Sequence, residues 1–310
     1  MLTAGLPGRN SGDMNLPAYD MPLYRPPSEG PNLIIQATYG CSFNECSFCS
    51  MYKTKSYRAR PLGDVFAEID AFAGDWPDAH RVFLADGDAM VLPMDDLKRI
   101  LDKLAATFPA LQRVSCYATP VNLLKKSPQD LAQLKARKLS LVYVGIESGA
   151  PEILKRITKG ASPRSIATAL EKAAAAGIRV SATVILGLGG RRLWQEHIAG
   201  TVDLINKTPP TYLSTLQLGL EDGVSGRFME RFERFGDTFA WQSDQGVLAE
   251  LERLVAGLNP PKPVIFRSNH ASNALALAGN LPKDKDRLLA QIATAGNSEG
   301  YLRPVWTRGF

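Results

Sequence analysis

The chain has 310 residues, 45% of them hydrophobic and 22% charged, with a net charge of +5 at neutral pH. That length builds one large core or two smaller ones, and no apolar run approaches the ~20 residues that span a bilayer, which excludes a helical membrane protein. Charge is spread along the chain except in KTKSYRAR at 53–60, so composition alone argues only weakly for a nucleic-acid partner.

Residues 1–30 are rich in Gly, Pro, Asn and Ser and carry no hydrophobic period, so they read as an extended arm. Their opening, MLTAGLPGRNSGDMN, lacks a basic segment followed by an apolar core and does not resemble a secretory leader. From residue 31 short β-rich runs alternate with amphipathic stretches. Strands are expected at 33–38, 81–86, 113–118, 141–147, 179–187, 212–218 and 264–268. Helical periodicity falls at 62–74, 94–108, 127–138, 162–177 and 197–208. Two of these helices open with Ser-Pro, an N-cap followed by proline at the first helical position, and one closes at Gly177. Strands alternating with helices of about 10–15 residues imply βα units and a parallel sheet. The expected fold is therefore α/β, a partial (βα)6 TIM-like barrel with mostly parallel strands. The arm would occupy 1–30, the barrel core 31–220, and a C-terminal extension completing or covering the barrel 221–310.

Four cysteines occur, and three of them stand together in CSFNECSFC as Cys41, Cys46 and Cys49, a C-x4-C-x2-C spacing. Cys116 lies apart, within the third expected strand. Too few and too clustered for a secreted disulfide scaffold, they point to a reducing, cytoplasmic compartment. The loop follows the first strand, and loops after strand C-termini line the active face of a βα array. Four readings compete. One is a set of unligated thiols. A second is structural zinc, which usually draws on a second hook or on histidines; His80, His197 and His270 are all distant in sequence. A third is a plant-type [2Fe–2S] site with Cys116 as fourth ligand. The fourth is a [4Fe–4S] cluster on three cysteines, one iron left open as a coordination position.

The loop, together with FLADGDA, YVGIESG and ILGLGG, resembles the radical S-adenosylmethionine superfamily. The usual spacing there is C-x3-C-x2-C with an aromatic before the last cysteine; this chain has Phe48 at that place and one extra residue after Cys41. The resemblance implies that Cys41, Cys46 and Cys49 hold a [4Fe–4S] cluster. S-adenosylmethionine would chelate the open iron through its amino and carboxylate groups. Asp86, Gly87 and Asp88 then stand where the superfamily binds the ammonium, and an ordinary Asp-Gly turn is the alternative. Glu147, between glycines at the end of the fourth strand, suits the ribose diol; the competing reading makes Ser148 a helix cap and leaves Glu147 solvated. Ser181 and Thr183 alternate along the fifth strand toward one face, where they either bond to the ribose or carboxylate or simply fill the barrel as polar residues, and Gly187 opens the turn expected at the adenine. Lys53, Lys55, Arg58 and Arg60 either steer anions or form a solvated helix face.

The polar run after the seventh strand makes Arg267, Asn269 and His270 candidate catalytic residues. His197 and Gln217 also fall near strand ends. Cys116 is either a small buried core residue or a donor of a hydrogen atom near the substrate. The arm at Tyr19–Arg25 is read either as a lid or as a tether. The activity expected is reductive cleavage of S-adenosylmethionine to a 5′-deoxyadenosyl radical that abstracts hydrogen from a small-molecule substrate. A flavodoxin or ferredoxin would supply the electron, with no membrane partner. A non-catalytic iron–sulfur carrier or sensor with Cys116 as ligand, and an RNA-modifying radical enzyme, are the alternatives.

Overall fold

The computed structural model describes residues 19–298 and 300–309, so residues 1–18 of the expected arm lie outside the described residues. The chain divides into two compact units. One comprises residues up to Asn44, Met51–Tyr143 and Ala175–Ile178; the other comprises Glu45–Ser50, Val144–Ala174 and Arg179 onward.

The first unit contains β1 (Leu33–Gln36), β2 (Thr38–Tyr39), β3 (Arg58–Ala59), α1 (Leu62–Ala71), β4 (Arg81–Ala85), α2 (Met94–Thr107), β5 (Arg113–Tyr117), α3 (Pro120–Lys125), α4 (Pro128–Ala136) and the first part of β6 (Leu139–Glu147). Its sheet runs β1-β4-β5-β6, all parallel, with Leu33 opposite Val82, Arg81 opposite Arg113 and Ser115 opposite Leu141. Ile35, Phe83, Leu84, Val114 and Val142 are fully buried, so these strands read as continuous apolar runs covered on both faces. Helix α2 lays Leu97, Ile100, Leu101 and Leu104 into this core, each worth about 1.5–3 kcal/mol of transfer free energy. Helix α4 begins as its Ser-Pro signal requires: Ser127 Oγ accepts from Asp130 N, and Asp130 accepts from Ser127 N.

The arm from Tyr19 is strapped to β1 in this unit. Tyr19 donates its hydroxyl to Ile34 O at 2.9 Å, and Asp20 exchanges hydrogen bonds with the Gln36 side chain. Further on, buried Glu29 accepts from Arg113 at 2.7 Å and from Tyr143. These contacts give the arm the character of a tether.

The second unit holds the end of β6, then α5 (Pro151–Arg156), α6 (Pro163–Ala175), β7 (Arg179–Leu186), α7 (Gly190–Lys207), β8 (Tyr212–Gln217), α8 (Asp222–Glu233), α9 (Asp244–Gly257), β9 (Val264–Ser268), β10 (Leu277–Leu281) and α10 (Lys285–Asn297). Strands β7, β8 and β9 are parallel neighbours, with Ser181 opposite Tyr212 and Tyr212 opposite Ile265. β10 adds on antiparallel, Leu277 against Ser268. The fold is thus α/β with a mostly parallel sheet, as expected. Gly177 follows α6 in the left-handed conformation, φ +72°, as its cap.

Several features differ from the sequence expectation, among them helices α3, α5, α8 and α9, which fall outside the expected elements. Helix α7 starts at Gly190 and not near His197, because GRRLWQE carries no apolar period to announce its first turns. β6 begins at Leu139, two residues early. β10 and α10 went unread, since LAGNL is too short and too glycine-bearing to signal a strand.

Candidate active site

The cysteine loop has no regular secondary structure from Gly40 to Ser50. Cys41, Cys46 and Cys49 are partly exposed, while Cys116 is completely buried. Burial pushes the Cys116 thiol up to about 12, with the negative charge of Asp88 adding to the effect. Complete burial is the ordinary environment of a small core cysteine.

In the first unit the turn after β4 clamps the loop around Cys41. Gly40 N donates to Asp86 Oδ2 at 3.2 Å, and Ser42 N donates to Asp88 Oδ1 at 2.9 Å, with the Ser42 hydroxyl on the other Asp88 oxygen. Gly87 N completes the clamp by donating to Gly40 O. A Cβ on Gly87 would stand 2.8 Å from Cys41 Cβ and 2.9 Å from Gly40 O, so only glycine permits this approach. Both carboxylates are buried. Burial raises the Asp86 pKa against hydrogen bonds from Tyr52 and Lys55, and burial carries Asp88 up to about 6. The acids expected at an ammonium group are thus first of all braces of the cysteine loop.

The basic run after the loop forms a turn and β3, not the solvated helix face that was one of its expected readings. Lys55 is 5% exposed and reaches Asp86 at 2.9 Å, Arg60 pairs with buried Glu68, and Arg58 lies 4.0 Å over the Tyr39 ring. Its charge is largely answered within the fold. Lys53 bonds to Asn44 O.

In the second unit, Ser47 between the two later cysteines is buried, and its hydroxyl has no hydrogen-bond partner. Glu147 ends β6 in the left-handed region, φ +61°, which a non-glycine residue adopts at a cost. It is buried and meets Lys159 Nζ at 2.9 Å, which corrects the reading in which it was solvated. Ser148 caps no helix: α5 starts at Pro151, and the Ser148 hydroxyl accepts from Ala150 N and bonds to His197 Nδ1 at 2.8 Å. His197 Nε2 stands 2.9 Å from Ile185 O, so that nitrogen is the donor, and Nδ1 takes the serine proton. Burial holds His197 down to about 4, so the ring is neutral. Ser148 therefore ties β6 to α7 and has no proton left for a ribose. Ser181 and Thr183 share one face of β7, with Ser181 buried and Thr183 half-buried.

Gly187, φ +81°, donates to Glu250 Oε2 at 2.7 Å. Glu250 is fully buried on α9, and burial lifts it to about 7. Of the expected catalytic candidates, Arg267 bonds to Phe266 O, Asn269 is exposed, and His270 bonds to Ser272. His270 is joined by residues that sequence reasoning missed: Arg303 donates to His270 O, and Arg308 pairs bidentately with Asp244, which also accepts from Gln217. Lys159, Ser42 and Glu250 were missed as well. Only Glu250 left a trace, as a charge among the apolar positions of VLAELERLV.

The acids and glycines of the expected site stand at or just after strand ends, with Asp86 and Gly87 after β4, Glu147 at the end of β6 and Gly187 after β7. Residues 35–205 match the Radical SAM superfamily, and the chain belongs to it. The superfamily's cofactors are a [4Fe–4S] cluster and S-adenosylmethionine. The chain is 24% identical over 280 residues to the tRNA-2-methylthio-N(6)-dimethylallyladenosine synthase of Aromatoleum aromaticum, covering 81% of this chain and 62% of that protein. It is 26% identical over 222 residues to the heme chaperone HemW of Mycobacterium tuberculosis, covering 68% and 54%. The fold is similar to that of the radical SAM enzyme coproporphyrinogen III oxidase, HemN, of Escherichia coli, with a TM-score of 0.55 at 15% identity over 73% of this chain and 51% of that one. The chain spans less than two thirds of each of these proteins. Among the described residues no helix is long and apolar enough to cross a membrane.

Proposed function

We propose that the chain is a radical S-adenosylmethionine enzyme acting on a small molecule, with Cys41, Cys46 and Cys49 holding the cluster. The observation that carries this is the contrast among the four thiols: three partly exposed on one loop, braced beside Cys41 by Asp86 and Asp88, and one completely buried. The donor set fits, since thiolate is the iron–sulfur ligand and the buried, unpartnered Ser47 hydroxyl adds a polar donor within the loop. When bound, the cluster and S-adenosylmethionine supply one-electron cleavage of the sulfonium and hydrogen-atom abstraction, driven by an external flavodoxin- or ferredoxin-like reductant. The chain's own residues bind and orient. Glu147 accepts hydroxyls of the ribose, Phe48 flanks the third cysteine ligand, and the Gly187 turn meets the adenine. Ser181 and Thr183 offer hydroxyls along β7, and Arg267, Asn269 and His270 supply polar groups toward the substrate.

A small-molecule substrate is favoured over RNA because the densest basic run is paired within the fold through Lys55–Asp86 and Arg60–Glu68. The test is anaerobic reconstitution with iron and sulfide, followed by dithionite and S-adenosylmethionine. About four irons per chain and release of 5′-deoxyadenosine are expected. C116A should keep both, while C41A, C46A and C49A should each lose both. About two irons, lost in C116A, would establish the carrier instead.

A further inference from the structure

Within the second unit a turn outside the expected site approaches the later cysteines. Ser47 N donates to Ile157 O at 3.0 Å, which seats the turn 157–160 beside the segment carrying Cys46 and Cys49. Thr158 takes a left-handed conformation, φ +55°, and Lys159 N returns to Leu154 O at 2.9 Å. Lys159 is thereby buried, its side chain 10% exposed, with Nζ 2.9 Å from Glu147 Oε1, itself 8% exposed. A buried ion pair adds little net stability, because removing both charges from water offsets their attraction. Two non-glycine residues in the left-handed region, Glu147 and Thr158, cost about 1–3 kcal/mol each on top. Stability therefore does not account for the arrangement. The buried charge thus stands two residues along from Ile157, whose carbonyl holds Ser47 between Cys46 and Cys49.

We propose that Lys159 is a positioning residue that sets the reduction potential of the cluster bound at Cys46 and Cys49, with Glu147 tempering its charge. This rests on the reading that the cysteine loop holds the cluster. The physical reason is elementary: one-electron reduction makes the cluster more negative, and a fixed positive charge in a low-dielectric surrounding favours the reduced form. Removing Lys159 should make the cluster harder to reduce. Removing the charge of Glu147 should make it easier.

The experiment is a redox titration of the reconstituted holoenzyme without S-adenosylmethionine, with the reduced cluster read by electron paramagnetic resonance. K159M should move the midpoint to more negative potential, K159R should stay near wild type, and E147Q should move it to more positive potential. The E147Q/K159M double variant should fall between the two single variants. Opposite signs are the diagnostic, because mere structural damage has no reason to follow charge. Should K159M fail to fold, leaving Glu147 buried and unpaired, E147Q and the double variant carry the test by the same rule. An unmoved midpoint in a fully loaded K159M, an E147Q that does not move it positive, or both single variants shifting in one direction overturns the proposal alone. A wild-type protein that takes up no cluster overturns the cofactor reading, and this proposal with it.

Discussion

At the scale of single residues, the site depends on groups whose hydrogen-bonding capacity is already committed. His197 is the clearest case. Its ordinary pKa is near 6.5, and burial lowers it to about 4 in the folded chain. Between those values the unfolded chain binds the extra proton, so stability rises with pH there and is lost as pH falls from 6.5 toward 4. The loss is bounded at about 3 kcal/mol. Urea denaturation at a series of pH values should show it in wild type and show it much reduced in H197Q. Gly149 argues the same point sterically. A Cβ there would stand 2.1 Å from Gly200 O on α7, a backbone atom that cannot swing aside. G149A should therefore lower the urea midpoint by an amount equivalent to about 1–3 kcal/mol with an unchanged slope.

At the scale of elements, α9 reaches into the turn after β7. Glu250 accepts the Gly187 N–H and the Gln242 amide, so a helix far along the chain fixes the turn assigned to the adenine. E250A leaves the Gly187 N–H without its acceptor, at about 1–3 kcal/mol. The expected kinetic signature, on the proposal that this turn meets the adenine, is a KM for S-adenosylmethionine that rises several-fold with a smaller change in kcat. A fall in kcat at constant KM would place Glu250 elsewhere in the reaction. The last described residues form a second such device. Arg308 closes on Asp244, and Arg303 on His270 O, which brings the end of the chain to the substrate candidates after β9.

At the scale of the whole molecule, the question is what a net charge of +5 means. The fold answers part of it by pairing Lys55, Arg60, Arg113 and Arg156 with buried or half-buried acids. Binding to bulk tRNA should accordingly be weak, with a log–log salt slope shallower than about −3. A steeper slope would favour an RNA substrate. The sequence by itself determined the alternation of βα units and the superfamily, because each is written in local periodicity or in short motifs. It also placed Glu147 and Gly187 at strand ends. Only the tertiary structure decided that Asp86 and Asp88 brace the segment around Cys41, that Ser148 is committed to His197, that Lys159 meets Glu147, and that Glu250 holds Gly187. Those facts are hydrogen bonds and ion pairs between residues up to 63 positions apart, and no local period or spacing encodes which buried donor meets which acceptor.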